Sequence, residues 1–156
     1  MEFGGNDCSY NWKEIAEHPE MDHDSLISLP QYLDCFRAGI QDLRKSGIQP
    51  ILTSLVPFDP HTYMNWVTRS MDRETIMRWL GEENRVYRKS ELYSRALEEL
   101  AREEDVPLTD LRKAFLDLPN LQDYYCEDGV HPNRMGQELI YRAFANFVRD
   151  RGFRRC

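Results

Sequence analysis

The chain has no apolar run approaching the roughly 20 residues that span a bilayer. Its four cysteines, Cys8, Cys35, Cys126 and Cys156, stand apart without CxxC spacing. That pattern excludes the usual zinc ligand set and a compact disulfide framework, and reduced thiols are expected. Polar residues and glycines follow Met1 at once, so no signal peptide is expected and a cytoplasmic location follows as the default. Positive charge is scarce: the net formal charge is −7, which argues against a nucleic-acid surface. The one basic cluster, Arg149, Arg151, Arg154 and Arg155, reads as a solvated helix end. Internal repeats, linkers and low-complexity stretches are also missing, so a single domain over residues 1–156 is expected. Such a length can bury roughly 70% of its unfolded surface.

What is present is an alternation of strand and helix signals. Gly4-Gly5 after Met1-Glu2-Phe3 has the look of a sharp turn at the very end of a strand. Residues 8–28 are polar and irregular in pattern. Ser28 is a candidate N-cap for a helix through about Ser46, with Tyr32, Leu33, Phe36, Ile40 and Leu43 at three- and four-residue steps and Gly47 to stop it. Ile48 to Val56 is β-branched, apolar and ended by Pro57, as a buried strand would be. A long excursion through Phe58, Tyr63 and Trp66 leads to a short helix that Asp72 can cap, carrying Ile76, Met77, Trp79 and Leu80.

A longer helix is predicted over about Glu83 to Glu104. Val86, Tyr93, Leu97 and Leu100 share one face, and Glu98, Glu99, Glu103, Glu104 and Asp105 form a solvated one. Val106 to Thr109 is a second short strand, and Asp110 can cap the turn after it. The last helix, about Asn133 to Arg149, has the clearest apolar stripe of all: Met135, Leu139, Ile140, Ala143, Phe144, Phe147 and Val148. This order predicts an α/β fold, a parallel sheet covered by helices, with ligands bound beyond the carboxyl ends of the strands. Only two full strands can be counted, which is few for a sheet. Either strands are missing from the front, or a second copy of the chain pairs with an exposed edge to give a homodimer.

Two stretches carry chemistry. Asp128-Gly129-Val130-His131-Pro132 sets an Asp three residues before a His, close enough to hold one ring nitrogen while the other serves as a base. The competing reading is a capped turn at a helix entry. Gly4-Gly5-Asn6-Asp7 offers close backbone approach and a neutral amide donor, suited to a developing oxyanion. A plain turn would use the same residues.

Together, in this order, the two stretches resemble the SGNH hydrolases, the GDSL esterase and lipase family. That family carries a Gly-x-Asn-Asp block after a central strand and an Asp-x-x-His block before its last helix. The resemblance implies a three-layer, flavodoxin-like parallel-sheet fold, incomplete at its N-terminal side. It also implies His131 as base, Asp128 as its orienting partner, and Asn6 with Gly5 at the oxyanion hole. The substrate class would be small acyl esters, with no metal and no organic cofactor. Phe58, Tyr63 and Trp66 follow a strand's carboxyl end and could line an acyl pocket, or equally the core.

The family's nucleophile block, Gly-Asp-Ser, has no counterpart in the chain. Ser54 lies within a strand without a glycine-rich elbow, and Ser9, Ser25 and Ser28 have no supporting pattern. Cys8 beside Asp7 is a candidate thiol for a cysteine hydrolase paired with His131. The expectation is therefore the back portion of an ester hydrolase, with little turnover alone. Its rival is a non-catalytic binding or assembly module that keeps the fold. Asp22-His23-Asp24 with His18 reads as a surface loop, because adjacent residues converge poorly on one ion.

Overall fold

The computed structural model describes residues 1 and 3–151. Glu2, Arg154, Arg155 and Cys156 from the sequence reading lie outside the described residues. Seven α-helices and two strands alternate along the described chain. They are α1 (Trp12–Glu17), α2 (Leu29–Lys45), β1 (Leu52–Thr53), α3 (Pro60–Val67), α4 (Arg73–Leu80), α5 (Asn84–Glu103), β2 (Leu108–Thr109), α6 (Leu111–Leu116) and α7 (Arg134–Asp150). A 3₁₀ turn, Leu121–Tyr124, precedes the histidine loop.

The strands pair in parallel, Leu52 opposite Leu108 and Thr53 opposite Thr109. They are far shorter than the apolar run suggested. Leu52 donates to the Pro107 carbonyl at 2.9 Å and Ser54 to Thr109 at 3.1 Å. The Leu55 amide, which points away from β2, donates to the Ser94 side chain of α5 at 3.2 Å. On the other side of β1 the Met1 ammonium donates to the Ile51 carbonyl at 2.5 Å, so the start of the chain lies beside this strand.

Helices α2 and α5 cover the sheet through Tyr32, Phe36, Ile40, Tyr93, Leu97 and Leu100, packed with Leu52 and Leu55. Two buried hydroxyls tie this core together without leaving a loose polar end: Tyr93 donates to the Ile27 carbonyl at 2.5 Å, and Ser25 meets the Tyr93 hydroxyl at 2.6 Å. A second core joins α1, α3 and α4 around Trp12, Ile15, Phe58, Met64, Ile76 and Leu80.

Four of the helices, α2, α4, α5 and α7, follow the predicted ranges closely, and two of the predicted side-chain caps form. Asp72 accepts from the Thr75 amide at 3.2 Å and Asp110 from Lys113 at 3.0 Å. Ser28 occupies the predicted N-cap of α2, but its side chain makes no cap bond there; Pro30 in the first turn removes one of the amides it would serve. Helices α1 and α3 fall in segments read as irregular or as an excursion.

Candidate active site

The first functional turn is built on Gly4. Its φ of +138° is reserved for glycine, and a Cβ there would stand 2.8 Å from both Leu55 Cδ2 and the Tyr32 hydroxyl. The backbone then coils tightly, Cys8 donating to the Gly4 carbonyl and Ser9 to the Asn6 carbonyl, each at 3.0 Å. Gly5 and Asn6 are left exposed at the tip. Neither the Gly5 amide nor the Asn6 carboxamide has a hydrogen-bond partner among the described residues, so both remain free to donate.

The second functional turn is more strongly braced. Cys126 donates to the His131 carbonyl at 2.8 Å, and Gly129 donates to Cys126 at 3.0 Å. Asn133 caps α7 by accepting from Met135 at 2.8 Å and Gly136 at 3.3 Å, while its amide donates to the carbonyls of Asp123 and Tyr125. The Asp59 amide reaches across to the Gly129 carbonyl at 3.2 Å, joining the loop to the start of α3. A Cβ at Gly129 would lie 2.8 Å from Thr62 Cβ, so the close approach also requires glycine.

Within this loop Asp128 makes the contacts that a histidine base needs. One carboxylate oxygen accepts from the Val130 and His131 amides at 3.0 and 2.9 Å. The other meets His131 Nδ1 at 2.6 Å. Because a carboxylate accepts, the ring hydrogen sits on Nδ1 and the Nε2 lone pair points elsewhere. Partial burial works to raise the Asp128 carboxyl. The two amides and the imidazole outweigh it and hold the group below the usual carboxylate range.

Both turns open on one cleft of about 690 Å³. Gly5, Asn6, Asp128 and His131 line it, and so do Phe58, Tyr63 and Trp66. The structure thus gathers all seven sequence candidates around a common space. Phe58 is also a core residue, so the acyl-pocket and core readings both apply to it. The sequence reading missed Trp12 and Val67, which complete the wall from α1 and α3. Asn11-x-x-Glu14 ahead of Ile15 was the available signal for α1, and Asp59-Pro60 was the one for α3: the Asn11 and Asp59 side chains accept from Glu14 at 3.3 Å and His61 at 3.1 Å.

The substitute nucleophiles fare differently. Ser54 is fully buried, accepting from the Arg112 amide at 2.9 Å and donating to Asp110 at 3.2 Å. Ser25 is locked to Tyr93, and Ser9 pairs with the Tyr63 hydroxyl at 2.8 Å. Cys8 lines the cleft but is itself buried, and burial pushes its thiol up to about 11. A group held there is thiol rather than thiolate at neutral pH, which removes the basis for a cysteine nucleophile. Around the sequence's Asp-His-Asp stretch, His23 Nε2 bonds the His18 carbonyl at 2.9 Å and Asp24 pairs with Lys89 at 3.0 Å. No group of three acidic, cysteine or histidine side chains among the described residues is placed to hold a metal ion. No helix among them is long and apolar enough to cross a membrane.

The profile of the GDSL-like lipase/acylhydrolase family matches residues 1–139. The chain belongs to that family. Its fold is also that of solved members of the same group. The lipase/acylhydrolase from Enterococcus faecalis is similar at a TM-score of 0.56 and 17% identity, over 96% of this chain and 59% of that one. The esterase domain of the ORF1 protein from the zebrafish ZfL2-1 retrotransposon is similar at 0.53 and 17% identity, over 80% and 61%. This chain therefore spans about three fifths of the length of both solved structures. No curated protein matches the sequence. The mixed α/β architecture with a parallel sheet is the family's, and the small sheet is in keeping with an incomplete version of it.

Proposed function

We propose that this chain carries the proton-transfer and oxyanion-binding half of an acyl-ester hydrolase site. The observation behind this is the 2.6 Å contact of His131 Nδ1 with Asp128 in the cleft that Asn6 also lines. A hydroxyl nucleophile attacks the ester carbonyl and its proton passes to His131 Nε2. Asp128 holds the imidazolium that forms, as a carboxylate does in Ser-His-Asp hydrolases. The Gly5 amide and Asn6 carboxamide donate to the tetrahedral oxyanion. His131 then returns the proton to the leaving alcohol, and a water repeats the cycle on the acyl intermediate. Of the serines that line the cleft, Ser9 is paired with the Tyr63 hydroxyl and Ser90 is buried, so on this reading the nucleophile comes from outside these residues and the chain alone turns over little.

The test is hydrolysis of 4-nitrophenyl butyrate, together with fluorophosphonate labelling read by mass spectrometry. The chain alone should show neither turnover nor a labelled serine. A longer polypeptide supplying a Gly-Asp-Ser segment should gain activity, lose about 10²–10⁴-fold of it with His131→Ala, and lose about 10²–10³-fold with Asn6→Ala. Activity indifferent to His131→Ala sinks the base assignment.

One observation favours a second reading, a binding or assembly module. Among the α7 residues only Gly136 is buried, so its apolar stripe is incompletely covered. A homodimer that covers this side and the open edge of the sheet would follow. Sedimentation velocity at micromolar concentration distinguishes the two, a monodisperse monomer counting against assembly.

A further inference from the structure

We infer that the cleft selects neutral esters bearing an apolar aryl or short alkyl group and rejects anionic ones, with Asp7 as the residue that sets this charge preference. The inference rests on the reading of the cleft as an ester site and adds a substrate class to it.

The wall opposite the two functional turns is aromatic and presents carbon. Trp12 and Phe58 meet Tyr63 edge-on, at centroid distances of 6.3 and 5.3 Å. The polar end of Tyr63 is already used: its hydroxyl accepts from Trp12 Nε1 at 3.1 Å and pairs with Ser9 Oγ at 2.8 Å. Burial raises the phenol, so it stays neutral across the working pH range. Trp66 extends the wall to the mouth, where it is 38% exposed. A cavity of this size and lining suits a small apolar ligand oriented by a few polar groups.

The charge around that space is one-sided. Asp7, Asp128 and His131 line the cleft, and among the described residues no lysine or arginine does. Asp128 is committed to His131 and to two backbone amides. Asp7 is half-buried, and its carboxylate has no hydrogen-bond or ion-pair partner among the described residues. Two cations stand behind the wall: Lys89 pairs with Asp24 at 3.0 Å while its charge still reaches Cys8, and the Arg69 guanidinium stacks on Trp66 at 3.7 Å without lining the cleft. A second negative charge brought beside Asp7 in a partly desolvated space meets repulsion that water screens poorly. A neutral acyl group meets none, and the carboxylate product that hydrolysis generates is disfavoured in the same place.

The test uses the intact chain and two ligands of equal acyl length, phenyl butyrate and monophenyl succinate, which differ by a terminal carboxylate. Binding is followed by NMR through the indole N–H signals of Trp12 and Trp66. Phenyl butyrate should shift both signals saturably, and monophenyl succinate should bind about tenfold more weakly. Asp7→Asn should close that gap, whereas Asp42→Asn on the exposed side of α2 should leave it, and Trp66→Ala should weaken both ligands. Equal affinities, a gap that survives Asp7→Asn, or no saturable shift would each overturn the inference; the unchanged dispersion of the variant spectra excludes unfolding as the cause. A loss of ligand binding alongside His131-dependent turnover defeats only the selectivity, and binding alongside His131-independent turnover defeats only the base assignment.

Discussion

Helices α5 and α7 are of comparable length and both are strongly amphipathic, yet they end in different surroundings. Helix α5 buries Val86, Tyr93, Leu97, Leu100 and Ala101 along one face, because α2, α3 and the sheet surround it. Helix α7 rests on α6, the 3₁₀ turn and β2, and its only buried residue is a glycine. Met135, Tyr141 and Val148 are exposed at 50%, 71% and 42%, and Leu139, Ile140, Phe144 and Phe147 are only half-buried. Periodicity therefore reports what a helix is able to bury; the neighbours decide how much of it is buried. The contrast also separates two ways of holding a site. The Asn6 turn leans on a well-packed core through Gly4 and Leu55, whereas the His131 loop is held mainly by polar and backbone bonds.

Truncation of the two helices should break the apparent likeness first. Leu97→Ala removes a side chain with no exposed surface and should cost about 2–5 kcal/mol. Leu139→Ala should cost about 1 kcal/mol or less in the same urea titration. Equal losses would mean that α7 is covered in solution by something else, including a second copy. Next is Gly136→Ala, which puts a Cβ 2.4 Å from the Tyr124 carbonyl. It should lift α7 off the 3₁₀ turn at a cost of about 1–3 kcal/mol, with faster amide exchange confined to residues 121–150.

The histidine loop offers a smaller effect with a pH signature. The Asp128 carboxyl is held below its ordinary value in the folded chain. Its contribution is thus complete above the unfolded carboxyl value of about 4 and fades as pH falls through the folded one. Asp128→Asn should cost roughly 1 kcal/mol at pH 7, and the deficit should shrink toward zero in acid. A deficit that persists unchanged at pH 2–3 would show that the loop does not depend on the ionised group. Smallest of all, Val148→Ser should change unfolding by less than about 0.5 kcal/mol, while weakening any self-association seen in sedimentation.

The sequence made much of this legible. Helices α2, α4, α5 and α7 were announced by their apolar stripes, α4 also by its Asp72 cap, and the order of elements was sufficient for a parallel α/β fold. Strand length was less readable, because an apolar run such as Ile48 to Val56 is needed equally by a ladder and by a buried connector, and only Leu52–Thr53 pair. Helices α1 and α3 were hidden by short length and polar composition, although their caps were in plain view. The two candidate turns could be picked out from residue types and order. Their position at a common edge of the sheet was expected from the order of elements; the tight packing of Gly4 and Gly129 against distant parts of the chain, which holds them there, was not readable.

That packing at Gly129 has a mechanical consequence. Thr62 and the Asp59 amide press directly on the loop that carries the imidazole, so the wall that would read the acyl group and the base that would act on it form one continuous brace. A mutation that widens the wall at the start of α3 would also swing the ring. On the proposed reading, a change at the start of α3 that altered specificity would also disturb proton transfer.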